Sequence, residues 1–176
     1  YAEERNGPGI GDSDLAYLDR YVKGYRKAGF THPVRYWNSR ALGTEKDAWY
    51  PGNWLAFDEG RLMKAVRIAE AICRERLARG WPEILFYGID EPGKRARARV
   101  CGRLFRMLRE VPGARTFTAV NFPGVIHEYG DALDVACFCP FTPPEDERRI
   151  AGIYGCEPWV YRTVERDTRA GWARIT

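Results

Sequence analysis

Histidines, closely paired cysteines and long apolar runs are scarce or absent in this chain of 176 residues. It has two histidines, far apart in sequence, and five cysteines with no Cys-x-x-Cys pair, so the ligand spacing of a zinc site is missing. No apolar run approaches the ~18 residues of a transmembrane helix, so we expect no membrane partner. No Gly-x-Gly-x-x-Gly follows a predicted strand, which argues against a dinucleotide site. We therefore expect neither a metal nor a cofactor.

Positive charge is concentrated in one segment, although the net charge of the chain is only +4. The basic residues lie between Lys94 and Arg99 and continue at Arg103, Arg106 and Arg109. A nucleic-acid interface is one interpretation of this segment. An apolar stripe opposes the basic residues, however, so we favour the solvated face of an amphipathic helix and expect no nucleic-acid partner.

The first residues, Tyr-Ala-Glu-Glu-Arg, contain neither a start methionine nor a signal peptide. We therefore expect the chain to be a trimmed domain or a fragment of a longer protein. The sequence indicates no compartment, so a secreted or periplasmic parent stays one option. It also leaves the oligomeric state open.

Strand and helix patterns alternate along the chain, which we interpret as a single domain over residues 1–176. The predicted strands are 33–37, 83–90, 115–120, 133–139 and 158–163, and the predicted helices are 12–27, 58–78, 94–110 and 144–154. Alternation of this kind indicates a parallel sheet with right-handed crossovers. Since a complete barrel takes ~250 residues, we predict a partial (β/α)8 TIM-type barrel with about five parallel strands. A doubly wound sheet is the competing architecture.

The most informative segment is the apolar run Ile84–Ile89, which leads into Asp90, Glu91 and Pro92. Such a run is typical of a strand buried on both faces of a parallel sheet. Catalytic groups gather at the carboxyl ends of barrel strands, and two adjacent carboxyl groups there repel each other. We expect Pro92 to bias Glu91 towards an extended backbone. We interpret Asp90 and Glu91 as a catalytic pair rather than as an acidic turn that caps the next helix.

An adjacent acid pair suits one form of glycoside hydrolysis, in which the substrate itself takes part. The 2-acetamido oxygen of the sugar attacks the anomeric carbon, so the enzyme supplies no nucleophile. One carboxylate then orients the amide N–H, and the other carboxyl group protonates the leaving oxygen. That proton donor must stay protonated near neutral pH, and a carboxylate beside it favours this state.

The segment Phe86–Pro92 resembles the Asp-Glu-Pro strand end in the catalytic domain of glycoside hydrolase family 123 and its uncharacterised barrel relatives. Three later segments are also similar to that family: Pro112–Thr118, Asp131–Val135 and Trp159–Tyr161. The resemblance covers residues 81–163 and implies retaining β-N-acetylgalactosaminidase activity through an oxazolinium intermediate. It also implies that Asp90 orients the acetamido group and that Glu91 is the acid/base.

Four further residues are candidates for substrate binding, and Trp37 among them ends a predicted strand. Tyr161 could donate a hydrogen bond to an acetamido carbonyl, and Asn121 could bind a sugar hydroxyl unless it caps a turn. Trp37 and Trp159 could stack on a sugar face, although aromatic side chains more often pack in a core. Other aromatic residues lie in a long loop over 38–57, and loops of this length are frequently functional.

Two other functions stay open at this point. A conventional retaining glycosidase would use Glu91 with a second carboxylate elsewhere, and it would accept sugars without the 2-acetamido group. A non-catalytic carbohydrate-binding barrel would instead line a groove with aromatic residues. In each case the expected partner is a carbohydrate.

Overall fold

A computed structural model describes residues 12–37, 59–139, 142–161 and 172–174 of the chain. The α-helices in these ranges are α1 (Asp12–Lys27), α2 (Glu59–Arg79), α3 (Arg95–Arg109) and α4 (Pro144–Tyr154). The strands are β1 (Val34–Trp37), β2 (Ile84–Tyr87), β3 (Arg115–Val120), β4 (Val135–Phe138), β5 (Glu157–Tyr161) and β6 (Trp172–Arg174). Two short 3-10 helices connect β3 to β4: Pro123–Glu128 and Gly130–Ala132.

One sheet contains all the described strands, in the order β1-β2-β3-β4-β5-β6. The first five strands are parallel, and each pairs with the strand that follows it in sequence. The prediction of five parallel strands with covering helices in an α/β fold is therefore confirmed. The three-residue strand β6 lies antiparallel to β5, and the sequence pattern does not predict it.

The described α-helices all pack on one face of the sheet, which we call the outer face. Apolar residues recur at intervals of three and four along each helix, as at Leu62, Val66 and Ala69 of α2, so one side of the helix is buried. These residues join strand residues such as Phe86 and Phe138 in one core cluster. The helices are thus attached to the sheet by an apolar layer.

The opposite face, which we call the inner face, has a separate and smaller cluster of buried residues. Successive side chains of a strand point to opposite faces, so Leu85 and Tyr87 lie on the inner face while Ile84 and Phe86 lie on the outer one. The inner cluster consists of strand residues alone: Leu85, Tyr87, Phe117, Ala119, Val135, Cys137 and Trp159. Side chains from β2 to β5 therefore fill the centre of the inner face.

Charged residues tie the strands together at the amino end of the sheet. Arg115, the first residue of β3, donates hydrogen bonds to Glu83 at 2.9 Å and to Glu157 at 3.1 Å. Burial disfavours the charge, but the hydrogen bonds to Glu157 and Glu83 prevail and raise the pKa of Arg115. Asp134, just before β4, accepts hydrogen bonds from the backbone N–H and the hydroxyl of Thr116 at 2.7 and 3.0 Å. The starts of β2, β3, β4 and β5 are joined by these bonds.

Some predictions concern residues that the structure does not describe. The predicted loops over 1–11 and 38–57 lie outside the described ranges, as do residues 162 and 163 of the fifth predicted strand. Within those ranges, none of the helices combines the length and the apolar character that crossing a membrane requires.

Candidate functional site

The acid pair follows β2 after a short irregular segment. β2 ends at Tyr87, so the predicted strand over 83–90 is too long at its carboxyl end. The backbone N–H of Gly88 still donates to a β3 carbonyl at 3.1 Å. The carbonyl of Ile89, however, accepts a hydrogen bond from the side-chain hydroxyl of Thr118 in β3 at 2.8 Å. The backbone-to-backbone hydrogen bonds between β2 and β3 therefore stop there. The chain leaves the sheet at Asp90 as a consequence.

Two glycines flank the acid pair where neighbouring aromatic rings leave no room for a side chain. A Cβ atom on Gly88 would lie 2.6 Å from the buried ring of Phe105, and one on Gly93 would overlap the ring of Phe122. The turn that carries the acids is therefore packed against α3 on one side and against the segment after β3 on the other.

Asp90 is half-buried and is held at two points. The hydroxyl of Tyr87 donates a hydrogen bond to the carboxylate oxygen Oδ1. The guanidinium of Arg97 donates through Nη2 to the backbone carbonyl of Asp90 at 2.8 Å. The second carboxylate oxygen, Oδ2, has no hydrogen-bond partner among the described residues. The protein thus fixes one oxygen, and the other can accept a hydrogen bond from a ligand.

Glu91 has a backbone conformation that residues other than glycine rarely adopt. Its φ is 44°, and within the described ranges no other non-glycine residue has a positive φ. The expectation that Pro92 would keep Glu91 extended is therefore wrong. The contacts on both sides explain why: the Glu91 carbonyl accepts the N–H of Gly93 at 2.6 Å, and Arg97 holds the preceding carbonyl. The left-handed conformation costs ~1–2 kcal/mol, which these contacts must offset.

Tyr87 links the acid pair to the inner face of the sheet. Its ring packs against Phe117 with the two centroids 5.0 Å apart. Burial raises the pKa of the Tyr87 hydroxyl, the charge of Asp90 and the hydrogen bond to it raise the pKa further, and Arg35 acts in the opposite direction. The hydroxyl therefore stays protonated at physiological pH and remains a donor to Asp90. Sequence reasoning missed this residue, although Tyr87 lies two residues after Leu85 in the strand and therefore points to the same face of the sheet.

Arg97 lies in the first turn of α3 and is half-buried. Burial lowers the pKa of Arg97, and the charges of three neighbours act against that shift: Asp90, Cys101 and Glu91. Its guanidinium therefore lies within electrostatic reach of both carboxylates while it holds the Asp90 carbonyl. Sequence reasoning counted Arg97 among the solvated arginines. Its spacing of four and seven residues from Cys101 and Leu104, both buried, is the signal that places it on the packed side of α3.

A second arginine reaches over the inner face from β1. The guanidinium carbon of Arg35 lies 5.8 Å from the centroid of the Phe117 ring, which is a cation–π distance. The register pairs Arg35 with Leu85, a residue of the inner cluster. Its charge also opposes the effect of burial on the pKa of Cys137. Sequence reasoning missed Arg35 too. The available signal was its position two residues before Trp37 in β1, which puts both residues on the same face of the sheet.

Three of the predicted substrate-binding residues lie at the carboxyl end of the sheet. Trp37 is the last residue of β1 and Tyr161 is the last residue of β5, while the positions of their side chains lie outside the description. Asn121 directly follows β3 and is half-buried. Because the five strands are parallel, these positions lie at the same end of the sheet as Asp90.

Trp159 lies in the middle of β5. Its side chain is only 8% exposed and makes a T-shaped contact with Phe117, with centroids 5.8 Å apart. Its indole N–H donates to Glu157 at 3.0 Å. Trp159 therefore packs within the inner cluster, below the strand ends.

The exposed arginines of α3 form ion pairs with neighbouring elements. Arg95 pairs with Glu128 of the first 3-10 helix at 2.5 Å, and Arg103 pairs with Glu59 of α2. These contacts connect α3 to the elements on either side, which supports the interpretation of a structural helix face. The absence of a nucleic-acid partner stays a prediction.

The described residues contain no group of three or more His, Cys, Asp or Glu side chains placed to hold a metal ion. Comparison of the chain with protein-family models, with curated proteins and with solved structures found no match. The family resemblance of the acid-pair segment therefore stays a prediction.

Proposed function

We propose that this chain is the catalytic part of a glycoside hydrolase that cleaves β-linked 2-acetamido sugars, and that its sheet is part of a (β/α)8 barrel. Two features of the fold support the barrel. Consecutive strands are neighbours in space, whereas a doubly wound sheet reverses its strand order at a switch point. The described helices also cover one face, whereas a doubly wound sheet has helices on both faces.

The observation that carries the proposal is the backbone of Glu91 at the carboxyl end of a buried parallel strand. A non-glycine residue with a φ of 44° is under strain. Such strain persists where the surroundings enforce it, and it clusters at active sites. Hydrogen bonds and packing from β3, α3 and the segment after β3 enforce it here. An acidic turn that only capped a helix would need none of this.

Asp90 has the features that the acetamido-orienting residue requires. A protonated tyrosine hydroxyl holds Oδ1, so the carboxylate has a fixed direction. Oδ2 is then the acceptor for the amide N–H of the sugar. That hydrogen bond increases the electron density on the acetamido oxygen and aligns it with the anomeric carbon.

Glu91 acts as the acid and then as the base. In the first step the acetamido oxygen attacks the anomeric carbon, and the bond from that carbon to the leaving oxygen breaks. The carboxyl proton of Glu91 passes to the leaving oxygen, which departs as an alcohol, and an oxazolinium ion remains. In the second step water adds to the anomeric carbon and gives a proton to the Glu91 carboxylate, while the bond from that carbon to the acetamido oxygen breaks and the acetamido group is restored. Two inversions at one carbon retain its configuration.

The remaining residues at the carboxyl end of the sheet supply substrate contacts in this proposal. Tyr161 binds the acetamido carbonyl, Asn121 binds a sugar hydroxyl, and Trp37 stacks on the sugar face. Trp159 supports them from below through its contact with Phe117. No cofactor takes part in the reaction.

Hydrolysis of a chromogenic β-N-acetylgalactosaminide tests the proposal. The wild type should hydrolyse it and should leave the 2-hydroxy analogue, a plain β-galactoside, untouched. Glu91→Gln should lower kcat by about 10²–10⁴-fold, because the general acid is lost, and Asp90→Asn should cause a comparable loss. Glu110→Gln is the matched control, since this exposed residue at the end of α3 lies outside the acid-pair turn, and it should leave the rate unchanged.

Two results would contradict the proposal. Equal hydrolysis of the plain glycoside would show that the acetamido group takes no part and would favour the conventional two-carboxylate glycosidase. A folded protein that turns over none of a panel of acetamido and plain glycosides would favour the non-catalytic carbohydrate-binding barrel.

A further inference from the structure

One large apolar side chain is exposed beside the acid-pair turn. Phe122 lies two residues after the end of β3 and is 52% exposed. The other exposed large apolar residues of the described ranges lie on α-helices or in the connection between α1 and β1: Tyr17, Tyr21, Phe30, Met63, Leu77 and Ile153. Among the side chains that the structure describes, Phe122 is therefore the one such residue at the carboxyl end of a strand.

The ring of Phe122 packs on the backbone of the acid-pair turn. A Cβ atom on Gly93 would overlap the ring atom Cδ2 and would lie 2.7 Å from each of its ring neighbours, Cγ and Cε2. One side of the ring therefore rests on Gly93, where only a glycine permits so close an approach. The N–H of Gly93 donates to the carbonyl of Glu91 at 2.6 Å. The ring thus borders the turn two residues after Glu91.

The backbone that carries Phe122 is held on both sides. Pro123 follows it and disfavours a helical conformation of Phe122, whose φ is −129° and whose ψ is 78°. The Phe122 carbonyl accepts the N–H of Val125 at 3.3 Å, which closes the first turn of the 3-10 helix that follows β3. The far end of that helix is held by α3, where Arg106 donates to the Glu128 carbonyl at 3.3 Å. A ligand that binds the ring therefore has little backbone to order, which lowers the cost of association.

A second phenylalanine shows that exposure alone does not distinguish Phe122, since single exposed apolar residues are normal on a protein surface. Phe30 is 53% exposed and stacks on Tyr25, with the two ring centroids 4.9 Å apart. It lies in the connection that enters β1 at the amino end of the sheet, whereas Phe122 lies at the carboxyl end with the acid pair. The two rings match in exposure and differ in their place in the fold.

The chemistry of a half-exposed phenyl ring suits the apolar face of a sugar. A pyranose carries C–H groups on its two faces and hydroxyl groups around its edge. A phenyl ring can therefore cover one face while the hydroxyl groups stay in water, and its electron-rich face attracts the polarised C–H groups. The phenyl ring has neither a charge nor a hydrogen-bonding group, so an anion or a metal ion is not its ligand.

The order of residues along the turn assigns the ring to one side of the bond that is cleaved. Asp90 is held by Tyr87 of β2, and in the proposed function it binds the acetamido group of the sugar that is attacked. Glu91 protonates the leaving oxygen in that reaction, and the Phe122 ring borders the turn after Glu91. The ring then lies on the side of the leaving group.

We propose that the ring of Phe122 is a stacking platform for a pyranose in the leaving group. The reaction itself rests on the proposed function, and the platform adds the substrate class. The preferred substrate is an oligosaccharide with an acetamido sugar before the cleaved bond and a neutral pyranose after it. Glycosides of small alcohols lack the second ring and make no use of Phe122.

Two substrates with the same acetamido sugar test the platform on the whole chain. The leaving group of N-acetylgalactosaminyl-β-1,4-galactose is a pyranose, and that of methyl β-N-acetylgalactosaminide is methanol. Phe122→Ala should lower kcat/KM for the disaccharide about tenfold, the size of an aromatic contact, and should leave the methyl glycoside within about twofold of the wild type. Phe122→Trp keeps an aromatic face and should keep the wild-type rate on both. Phe30→Ala is the matched control and should change neither rate.

Phe122→Leu keeps the test intact if Phe122→Ala fails to fold. Leucine still covers Gly93 with an apolar side chain but has no aromatic face, so it should show the same loss on the disaccharide alone. An equal loss on both substrates would overturn the proposal, because it would mean that the ring only supports the acid-pair turn. An unchanged rate on both substrates would overturn it as well. Either result would leave the proposed function standing.

Calorimetric titration with the same disaccharide separates the platform from the reaction. In a protein that hydrolyses nothing, weaker binding of the disaccharide by Phe122→Leu, with unchanged binding of N-acetylgalactosamine, would uphold the ring as a sugar platform and refute the proposed function. Equal affinity of the wild type for the disaccharide and for N-acetylgalactosamine would overturn the platform, because the second ring would then make no contact. A wild type that binds neither sugar would overturn both proposals.

Discussion

The two ends of the sheet carry acidic residues in opposite circumstances. At the amino end, Glu83 and Glu157 share the guanidinium of Arg115, with N–O distances of 2.9 and 3.1 Å. At the carboxyl end, Asp90 is held by the uncharged hydroxyl of Tyr87. A cation within the protein thus neutralises the acids at the amino end, whereas a neutral donor holds the Asp90 carboxylate at the carboxyl end.

We interpret this difference as a division between stability and the proposed function within one sheet. Paired charges stabilise the fold because each partner offsets the cost of burying the other. Unpaired or strained acids reduce stability, so they are kept where a ligand or a reaction uses them. In parallel β/α barrels the carboxyl end holds the chemistry and the opposite end contributes stability. The proposed function assigns the same division to the two ends of this sheet.

Arg115→Met has the largest effect that we expect on stability. It leaves Glu83 and Glu157 as like charges without a cation, so the free energy of unfolding should fall by about 1–2 kcal/mol. Denaturant unfolding measures this change, and hydrolysis should stay at the wild-type rate. Arg103→Met is the control, since its pair with Glu59 is exposed and should contribute at most about 0.5 kcal/mol. Lost activity with unchanged stability would reverse the roles that we assign to the two ends.

Tyr87→Phe makes the corresponding change at the carboxyl end, and it should lower the free energy of unfolding by about 1 kcal/mol. The ring keeps its contact with Phe117, but Asp90 loses the donor that orients it, so hydrolysis should fall about tenfold or more. Steady-state kinetics and denaturant unfolding separate the two effects. Tyr21→Phe on the exposed side of α1 should change neither. Lower stability with an unchanged rate would mean that the hydrogen bond only supports the fold.

Glu91→Gly has the smallest expected effect on the free energy of unfolding. Whether the variant is more or less stable than the wild type tests whether the Glu91 backbone is strained. Glycine adopts a positive φ without strain but loses more entropy on folding, so we expect a net gain of about 0.5 kcal/mol. Activity should disappear with the carboxyl group. Asp90→Gly is the matched control and should be destabilised, because Asp90 has no positive φ to relieve. Equal destabilisation of both variants, measured by thermal unfolding, would show that Glu91 is unstrained.

The strands and helices could be predicted because their patterns repeat. Apolar residues at helical spacing locate α1 to α4, and short apolar runs locate β1 to β5. Strand β6 has three residues, which is too short for a pattern to indicate it. The carboxyl end of β2 was misjudged because Ile89 continues the apolar run, although its carbonyl bonds to a side chain.

The acid pair could be located from sequence, but its supporting residues could not be identified in the same way. Arg97 lies within a run of basic residues. Sequence reasoning therefore assigned it to the solvated face of α3, although its spacing places it on the buried side. The φ of Glu91 depends on hydrogen bonds from other elements, so no local rule predicts it.

The sequential strand order also has a consequence for biosynthesis. Each described strand pairs with the one that precedes it in the chain, so no pairing within the described sheet skips over another strand. Each pairing therefore closes one connection and does not wait for a strand that is made later. A chain that emerges from the ribosome amino end first can add each strand and helix to a neighbour that is already exposed. The sheet can grow in the order in which its residues are synthesised.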